Sequence, residues 1–158
     1  MKRRFSEVKF FLIGRGCDME NTQLMSWLND YGLKDHFVLF GERNDVPVCL
    51  AAMDVFCMPS RNEGFPNGLG EAMAMGLPCV ATNVGDSAVL VGDTSILVAP
   101  QDEEALANGI LEMIALPEEK RCQLGQRAQK RVMSEFSIEK ARQRFEAVYQ
   151  QILSEEKT

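Results

Sequence analysis

A chain of 158 residues is one domain of ordinary size, and 46% hydrophobic with 25% charged residues is the composition of a soluble globular protein. The formal net charge of -6 argues against a dedicated nucleic-acid binder, which needs a basic face, and leaves room for a local basic patch at a phosphate site. No apolar run approaches the ~18 residues of a membrane span, and Glu7 and Lys9 interrupt the stretch after Met1-Lys2-Arg3-Arg4, so a signal peptide is not expected and a cytoplasmic location is.

In chain order, the apolar run 8–13, broken only by Lys9, reads as a strand that turns at Gly14-Arg15-Gly16. Leu24, Trp27, Leu28 and Tyr31 recur three and four apart, which predicts a helix over 21–31 ended by Gly32. Residues 36–40 form a second strand stopped by Gly41, and 46–53 a short helix that admits Pro47 in its first turn. A third strand, 54–58, halts at Pro59. A buried helix spans about 68 to 75, closed by Gly76 and Pro78. Cys79-Val80-Ala81 is a fourth strand leading into a loop over 82–86, and 96–99 is a fifth, stopped by Pro100. Helices then dominate. The first, 102–115, has an acidic opening turn suited to the helix dipole; the second, 118–135, is polar and mostly exposed. The last, 137–153, starts on a serine cap and carries Ile138, Ala141, Phe145, Val148 and Ile152 on one face.

Nearly all-apolar strands alternating with helices predict an α/β fold, a Rossmann-like parallel sheet with helices on both faces and a helical C-terminal tail. The expected division is one domain over 1–136 and a terminal helix and tail over 137–158. The five cysteines are odd in number and show no Cys-x-x-Cys spacing, which predicts free thiols. The single histidine, His36, precedes a strand and reads as an edge residue; with no His/Cys cluster, a metal site is not expected.

The chemistry-bearing stretch is Glu63-Gly64-Phe65-Pro66-Asn67-Gly68-Leu69-Gly70-Glu71. It joins the end of a parallel strand to the start of a helix, where α/β proteins bind phosphate. Glu71 is the only charge in 69–81, and a carboxylate inside an apolar helix costs free energy unless it is paired, as the two hydroxyls of a ribose could pair it. The plainer alternative is a glutamate near a helix start, favoured by the dipole. The amides of Gly68-Leu69-Gly70 would face a phosphate. Arg15 follows the first strand and is expected on the same sheet edge as Glu63, where it could meet a phosphate or simply be a solvated turn residue. Arg43, Asn44 and Arg61 lie just past strand ends and are candidate base or phosphate contacts. Gly14-x-Gly16 lacks the third glycine of the dinucleotide fingerprint. Met73 and Met75 read as core filler, and the basic residues of 120–131 as a solvated face.

The run from Pro59 through Pro78-Cys79-Val80-Ala81-Thr82, with Ser60, Arg61 and Asn62 before Glu63, resembles the donor-site signature of the retaining GT-B glycosyltransferases of glycosyltransferase family 4, the "glycosyl transferases group 1". The strand motifs Phe10-Phe11-Leu12-Ile13-Gly14-Arg15-Gly16 and Phe37-Val38-Leu39-Phe40-Gly41 are similar as well. So are Val84-Gly85-Asp86, Leu97-Val98-Ala99-Pro100 and Phe136-Ser137, so the resemblance covers nearly the whole chain. It implies the C-terminal, donor-binding domain of an enzyme that moves a sugar from a nucleotide-diphosphate donor to a glycan or lipid-linked acceptor, in polysaccharide or cell-envelope biosynthesis.

By the same resemblance, Glu63 is the catalytic-centre residue contacting donor-sugar hydroxyls. Gly64 and Phe65 offer backbone groups to the sugar, with Pro66 and Asn67 completing the stretch. Gly68 and Leu69 bind the diphosphate, and Glu71 holds the ribose. Gly16, Arg15, Arg43 and Asn44 approach the nucleotide. The nucleotide sugar is a substrate, so no cofactor is implied; no Asp-x-Asp occurs and no metal is expected. The family's domain opens with a strand ending in Gly-Arg followed by a lysine, and this sequence starts after that unit. The expected partner is therefore an N-terminal acceptor-binding domain or complementary chain, through which any peripheral membrane association would come, and the chain alone is expected to be inactive. The competing reading is a non-catalytic nucleotide-sugar-binding module or partner subunit.

Overall fold

The computed structural model describes residues 7–155, which form two compact units divided between Val48 and Cys49. In the first, β1 (Phe10–Ile13) pairs in parallel with β2 (Phe37–Gly41), Phe10 opposite Phe37 and Leu12 opposite Leu39. The rings of Phe10 and Phe37 stack at 4.8 Å, and Phe11 meets Phe40 edge-on at 5.5 Å. The register slips after Leu12, so that Ile13 faces Gly41. Gly14 then donates to Gly41 O at 2.8 Å and Gly41 to Cys17 O at 2.8 Å, closing the turn. Helix α1 (Thr22–Asp30) starts one residue later than expected because Asn21 is its cap: Asn21 Oδ1 accepts from Leu24 N–H, and its Nδ2 donates to Gly16 O at 2.8 Å. A 3₁₀ turn, Lys34–His36, precedes β2, and His36 Nδ1 lies 3.1 Å from Val8 O. Helix α2 (Val46–Ala51) spans the division between the units.

The second unit contains β3 (Phe56–Met58), α3 (Asn67–Ala74), β4 (Cys79–Thr82), α4 (Ser87–Val91) and β5 (Ile96–Val98), then α5 (Glu103–Ala115), α6 (Glu118–Glu135) and α7 (Ile138–Glu155). The strands form a parallel ladder in the order β3-β4-β5, with Met58 opposite Ala81 and Ala81 opposite Leu97. Central β4 has neighbours on both edges, and Cys79, Val80 and Ala81 are wholly buried, which is why it reads as an unbroken apolar run. Leu69 and Met73 of α3, Leu90 and Val91 of α4, Met113 of α5 and Ala128 of α6 complete the core. A Cβ at Gly109 would come within 3.1–3.2 Å of Val98, Ile96 and Val80, so α5 lies directly on β4 and β5.

Helix α3 ends as anticipated at Gly76, whose φ of +75° lets its N–H reach Met73 O at 2.9 Å while Leu77 N–H reaches Ala72 O at 3.1 Å, a Schellman closure. Helix α4 was not expected from sequence: five residues are too few to show a period.

Helix α6 corrects the reading of its basic residues as a solvated face for Arg121 and Arg131; Lys120, Arg127 and Lys130 are exposed, as that reading had it. Its polar side chains hold the carbonyl ends of three other helices. Arg121 donates to Leu116 O at 2.6 Å behind α5, Gln129 to Ala74 O at 2.8 Å at the end of α3, and Arg131 to Leu90 O at 2.8 Å and Val89 O at 2.7 Å at the end of α4. The last carbonyls of a helix have no partner within it, and a cation there also meets the negative end of the dipole. Gly125 brings the α6 backbone against α3: a Cβ there would lie 1.9 Å from Gly76 O.

In α7 the stripe anticipated from sequence is exposed, Ile138 at 89% and Phe145 at 65%. Among the described residues no helix is long and apolar enough to cross a membrane. None of the five cysteines is in a disulfide, Cys79 being buried and Cys122 exposed.

Candidate functional site

The loop 59–66 leaves β3 at the C-terminal edge of the second unit's ladder and enters α3. It is held from β4: the Thr82 hydroxyl donates to Ser60 O at 2.6 Å, with Met58 O at 3.3 Å on its other side. Ser60 in turn donates its hydroxyl to Glu63 Oε1 at 2.8 Å, and Glu63 is half-buried. Among the described residues Glu63 Oε2 has no protein partner. The loop 83–86 closes on the same segment. Asp86 N–H donates to Gly64 O at 3.1 Å, and Gly85, at φ +51°, approaches so closely that a Cβ would lie 2.3 Å from both Glu63 O and Gly64 O. Phe65 is 44% exposed and its ring centroid lies 6.1 Å from that of Phe136, over which the Arg131 guanidinium sits at 5.7 Å. Pro66 is fully buried and caps α3 without a side-chain bond.

The helix start is less open than its glycines suggest. Helix α3 already begins at Asn67, so Gly68 and Gly70 lie in its first turns, and only Gly64 belongs to the loop. Asn67 N–H donates to Phe65 O at 3.0 Å, and Leu69 and Gly70 N–H both donate to Pro66 O at 3.1 Å. Gly68 N–H is then the amide that meets no protein acceptor among the described residues. A Cβ at Gly68 would be 4.0 Å from Phe56 Cζ and one at Gly70 3.8 Å from Leu90 Cδ2, both ordinary contacts. Packing alone therefore does not require glycine at either position.

Glu71 is exposed, which corrects its reading as a carboxylate inside a buried helix. Leu69, Ala72 and Met73 turn inward, and Glu71, about 200° around the axis from Leu69, turns outward. The desolvation argument for a ribose partner falls away; a solvent-facing carboxylate on the second turn of α3 remains.

The other candidates belong to the first unit. Arg15 is 91% exposed, with its Nε 4.0 Å from Glu42 Oε2. Gly16 sits at φ +73° beneath Asn21. Arg43 is engaged with Asp45 through Nε at 2.7 Å and lies 6.0 Å over the Phe40 ring; Asn44 is exposed. The ladder carrying Arg15 pairs β1 with β2, and the one leading to Glu63 pairs β3, β4 and β5.

The sequence placed Ser60 and Thr82 inside the run that resembles a donor-site signature, and Gly85 in the motif after it, but assigned none of them a role in the site. The signal for Gly85 was its place in a turn; nothing in the spacing of Thr82, 22 residues beyond Ser60, pointed to their bond. A surface depression of about 310 Å³ in this unit lies elsewhere, lined by Asp54, Pro78, Glu118, Arg121 and Cys122.

Residues 1–115 match the family described as "Glycosyl transferases group 1". Among curated proteins, the chain is 29% identical over 153 residues to the N-acetyl-alpha-D-glucosaminyl L-malate synthase of Bacillus anthracis, covering 96% of this chain and 39% of that protein. It is 33% identical over 106 residues to the UDP-Gal:alpha-D-GlcNAc-diphosphoundecaprenol alpha-1,3-galactosyltransferase of Escherichia coli, covering 66% of this chain and 27% of that one. Among solved structures, Anabaena Alr3699/HepE in complex with UDP superposes with a TM-score of 0.82 at 27% identity, over 91% of this chain and 41% of that chain. The C-terminal domain of LpcC, a glycosyl transferase group 1 family protein from Francisella tularensis, superposes with a TM-score of 0.74 at 22% identity, over 87% of this chain and 74% of that chain, a likeness of fold. The α/β, Rossmann-like architecture expected from the sequence is the one these proteins share. The chain spans well under half the length of its curated relatives.

Proposed function

Because the chain belongs to the glycosyl transferases group 1 family, we propose that it forms the donor-binding portion of a retaining glycosyltransferase, one that moves a sugar from a nucleotide-diphosphate donor to a glycan or lipid-linked acceptor in polysaccharide or cell-envelope biosynthesis. The observation that carries this reading is the pairing, on one loop-to-helix connection, of a half-tethered carboxylate and an unpartnered amide. Glu63 has one oxygen held by Ser60 and the other open. Gly68 N–H stands open at the start of α3. The first suits sugar hydroxyls; the second suits a diphosphate oxygen at the positive end of a helix.

In this account the diphosphate lies against Gly68 and Leu69, the sugar against Glu63 and the backbone of Gly64 and Phe65, with Pro66 and Asn67 shaping the bend. Glu71 takes the ribose hydroxyls, and Arg15, Gly16, Arg43 and Asn44 serve the nucleotide. Breaking the sugar–phosphate bond places new negative charge on the leaving diphosphate. A fixed amide stabilises that charge without having to reorganise. An N-terminal acceptor-binding domain or complementary chain supplies the acceptor, since transfer depends on holding both substrates together.

Calorimetric titration of the chain with UDP, GDP and their sugar conjugates tests the reading. At least one nucleoside diphosphate should bind, and Glu71→Ala should weaken it more than Arg127→Ala, because Arg127 is an exposed partner of Asp93 on α6. Equal affinities in the two variants would remove the ribose assignment, and binding with no transfer beside any acceptor domain would make the chain a binding module.

A further inference from the structure

We propose that Ser60 and Thr82 are positioning residues that present the Glu63 carboxylate to the donor sugar; this rests on the donor-binding reading above. Glu63 lies in a loop, where a glutamate side chain ordinarily samples several rotamers, at a substantial entropic cost on binding. Here that freedom is already removed. The Ser60 hydroxyl donates to Oε1 at 2.8 Å, and the Ser60 backbone is itself fixed, because the Thr82 hydroxyl donates to Ser60 O at 2.6 Å. Thr82 is only 3% exposed and ends β4, the central strand of its ladder, so the chain of bonds begins in the rigid core and ends on the carboxylate.

A second support acts on the backbone of the same residue. Gly85 lies against Glu63 O and Gly64 O, and Asp86 N–H holds Gly64 O. The carboxylate is thus fixed at one oxygen and along its own main chain, with Oε2 left open. A hydroxyl donor bound to Oε1 also leaves that oxygen's remaining lone pair for a ligand, so both oxygens can accept from a sugar diol. Such preorganisation improves binding by lowering the ordering cost paid on association, without adding a contact to the ligand.

The arrangement predicts a selective defect. Ser60 acts on the residue that meets the sugar, so its loss should affect the sugar conjugate and spare the bare diphosphate. The chain and its variants would be titrated calorimetrically with UDP-glucose, UDP-galactose and GDP-mannose, and with UDP and GDP. Ser60→Ala should weaken the bound sugar conjugate by about threefold to tenfold, the ordering cost of one side chain left free before binding, with the matching diphosphate unchanged. Ser60→Thr, which keeps the hydroxyl, should restore most of the loss. Introduced into Glu63→Ala, Ser60→Ala should have no further effect, because the residue it positions is gone.

An equal loss for conjugate and diphosphate, or an additive loss in the double variant, would overturn the proposal and leave Ser60 as a general support of the loop. No loss at all would overturn it too. If the unaltered chain binds neither diphosphates nor conjugates, the donor-binding reading itself fails, and this inference with it; that outcome is distinct because it is seen before any substitution is made.

Discussion

Replacing Gly125 by alanine sets two physical effects against each other with opposite signs. Glycine inside a helix costs about 0.5–1 kcal/mol relative to alanine, so propensity alone predicts that Gly125→Ala stabilises α6. The surroundings predict the reverse. The new Cβ would stand 1.9 Å from Gly76 O and 2.8 Å from Gly76 C, both backbone atoms of the Schellman turn that closes α3. A carbon and an oxygen need roughly 3.2 Å or more, so α6 must retreat by about 1 Å. That retreat stretches the bonds beside the contact, Gln129 to Ala74 O at 2.8 Å and Arg131 to Leu90 O at 2.8 Å and Val89 O at 2.7 Å. Overpacking of this kind costs about 1–3 kcal/mol, and the weakened charged bonds add about 1–3 kcal/mol more. After the propensity gain the net destabilisation is about 1–5 kcal/mol, a fall in Tm of about 2–20 °C for a chain of this size. Thermal unfolding followed by circular dichroism measures it. A Tm unchanged or raised in Gly125→Ala would refute the close docking of α6 on α3.

Arg131→Ala should cost about 1–3 kcal/mol by urea titration, since it leaves the carbonyls of Val89 and Leu90 without their cation, and Gln129→Ala should cost less; a neutral Arg131 variant would show that α4 ends without this support. Burial pushes the Cys57 thiol up to about 11 and the Cys79 thiol to about 12, Cys57 adding to the latter, from the ordinary value of 9.0. The folded state thus holds these protons more tightly than the unfolded chain. Their contribution to stability is complete below about pH 9 and is lost as pH rises to about 11–12, which a series of denaturation midpoints should show as level from pH 8 to about 9 and falling from there to pH 11; a series flat to pH 11 would contradict it. At pH 8 an alkylating reagent should modify exposed Cys122 well before Cys79, and equal rates by mass spectrometry would mean that β4 opens. Gly68→Ala should keep the fold, since its Cβ finds ordinary contact with Phe56, and should weaken diphosphate binding by crowding the open amide; unchanged affinity would count against a phosphate at that position.

The strands were legible because each is a short apolar run, four of them ended by glycine or proline, and central β4, buried throughout, matched its expected bounds to within one residue. Helix bounds shifted where a side chain took the capping role, as Asn21 and Asp102 do. Glu71 was misread because its neighbours were judged along the chain, whereas burial on a helix follows angle; residues two apart fall on nearly opposite sides. The tasks of α6 were hidden for a different reason. Arg131 meets carbonyls 41 and 42 positions away and Gln129 one 55 positions away, and a polar helix that caps its neighbours has the same composition as one that faces water. The candidate loop itself was found from its glycines and glutamates. The support beneath it, Thr82 to Ser60 to Glu63, depends on strand pairing across the ladder, which no local pattern records.

The central claim is that a diphosphate docks at the open end of α3. The most direct measurement is an amide-resolved NMR titration of the chain with UDP or GDP, then with the sugar conjugate of whichever binds. The account predicts the largest diphosphate-induced shift at Gly68 N–H, with Gly64 and Phe65 moving further when the sugar is present. Shifts centred on Glu118, Arg121 and Cys122, with Gly68 unmoved at saturation, would contradict it.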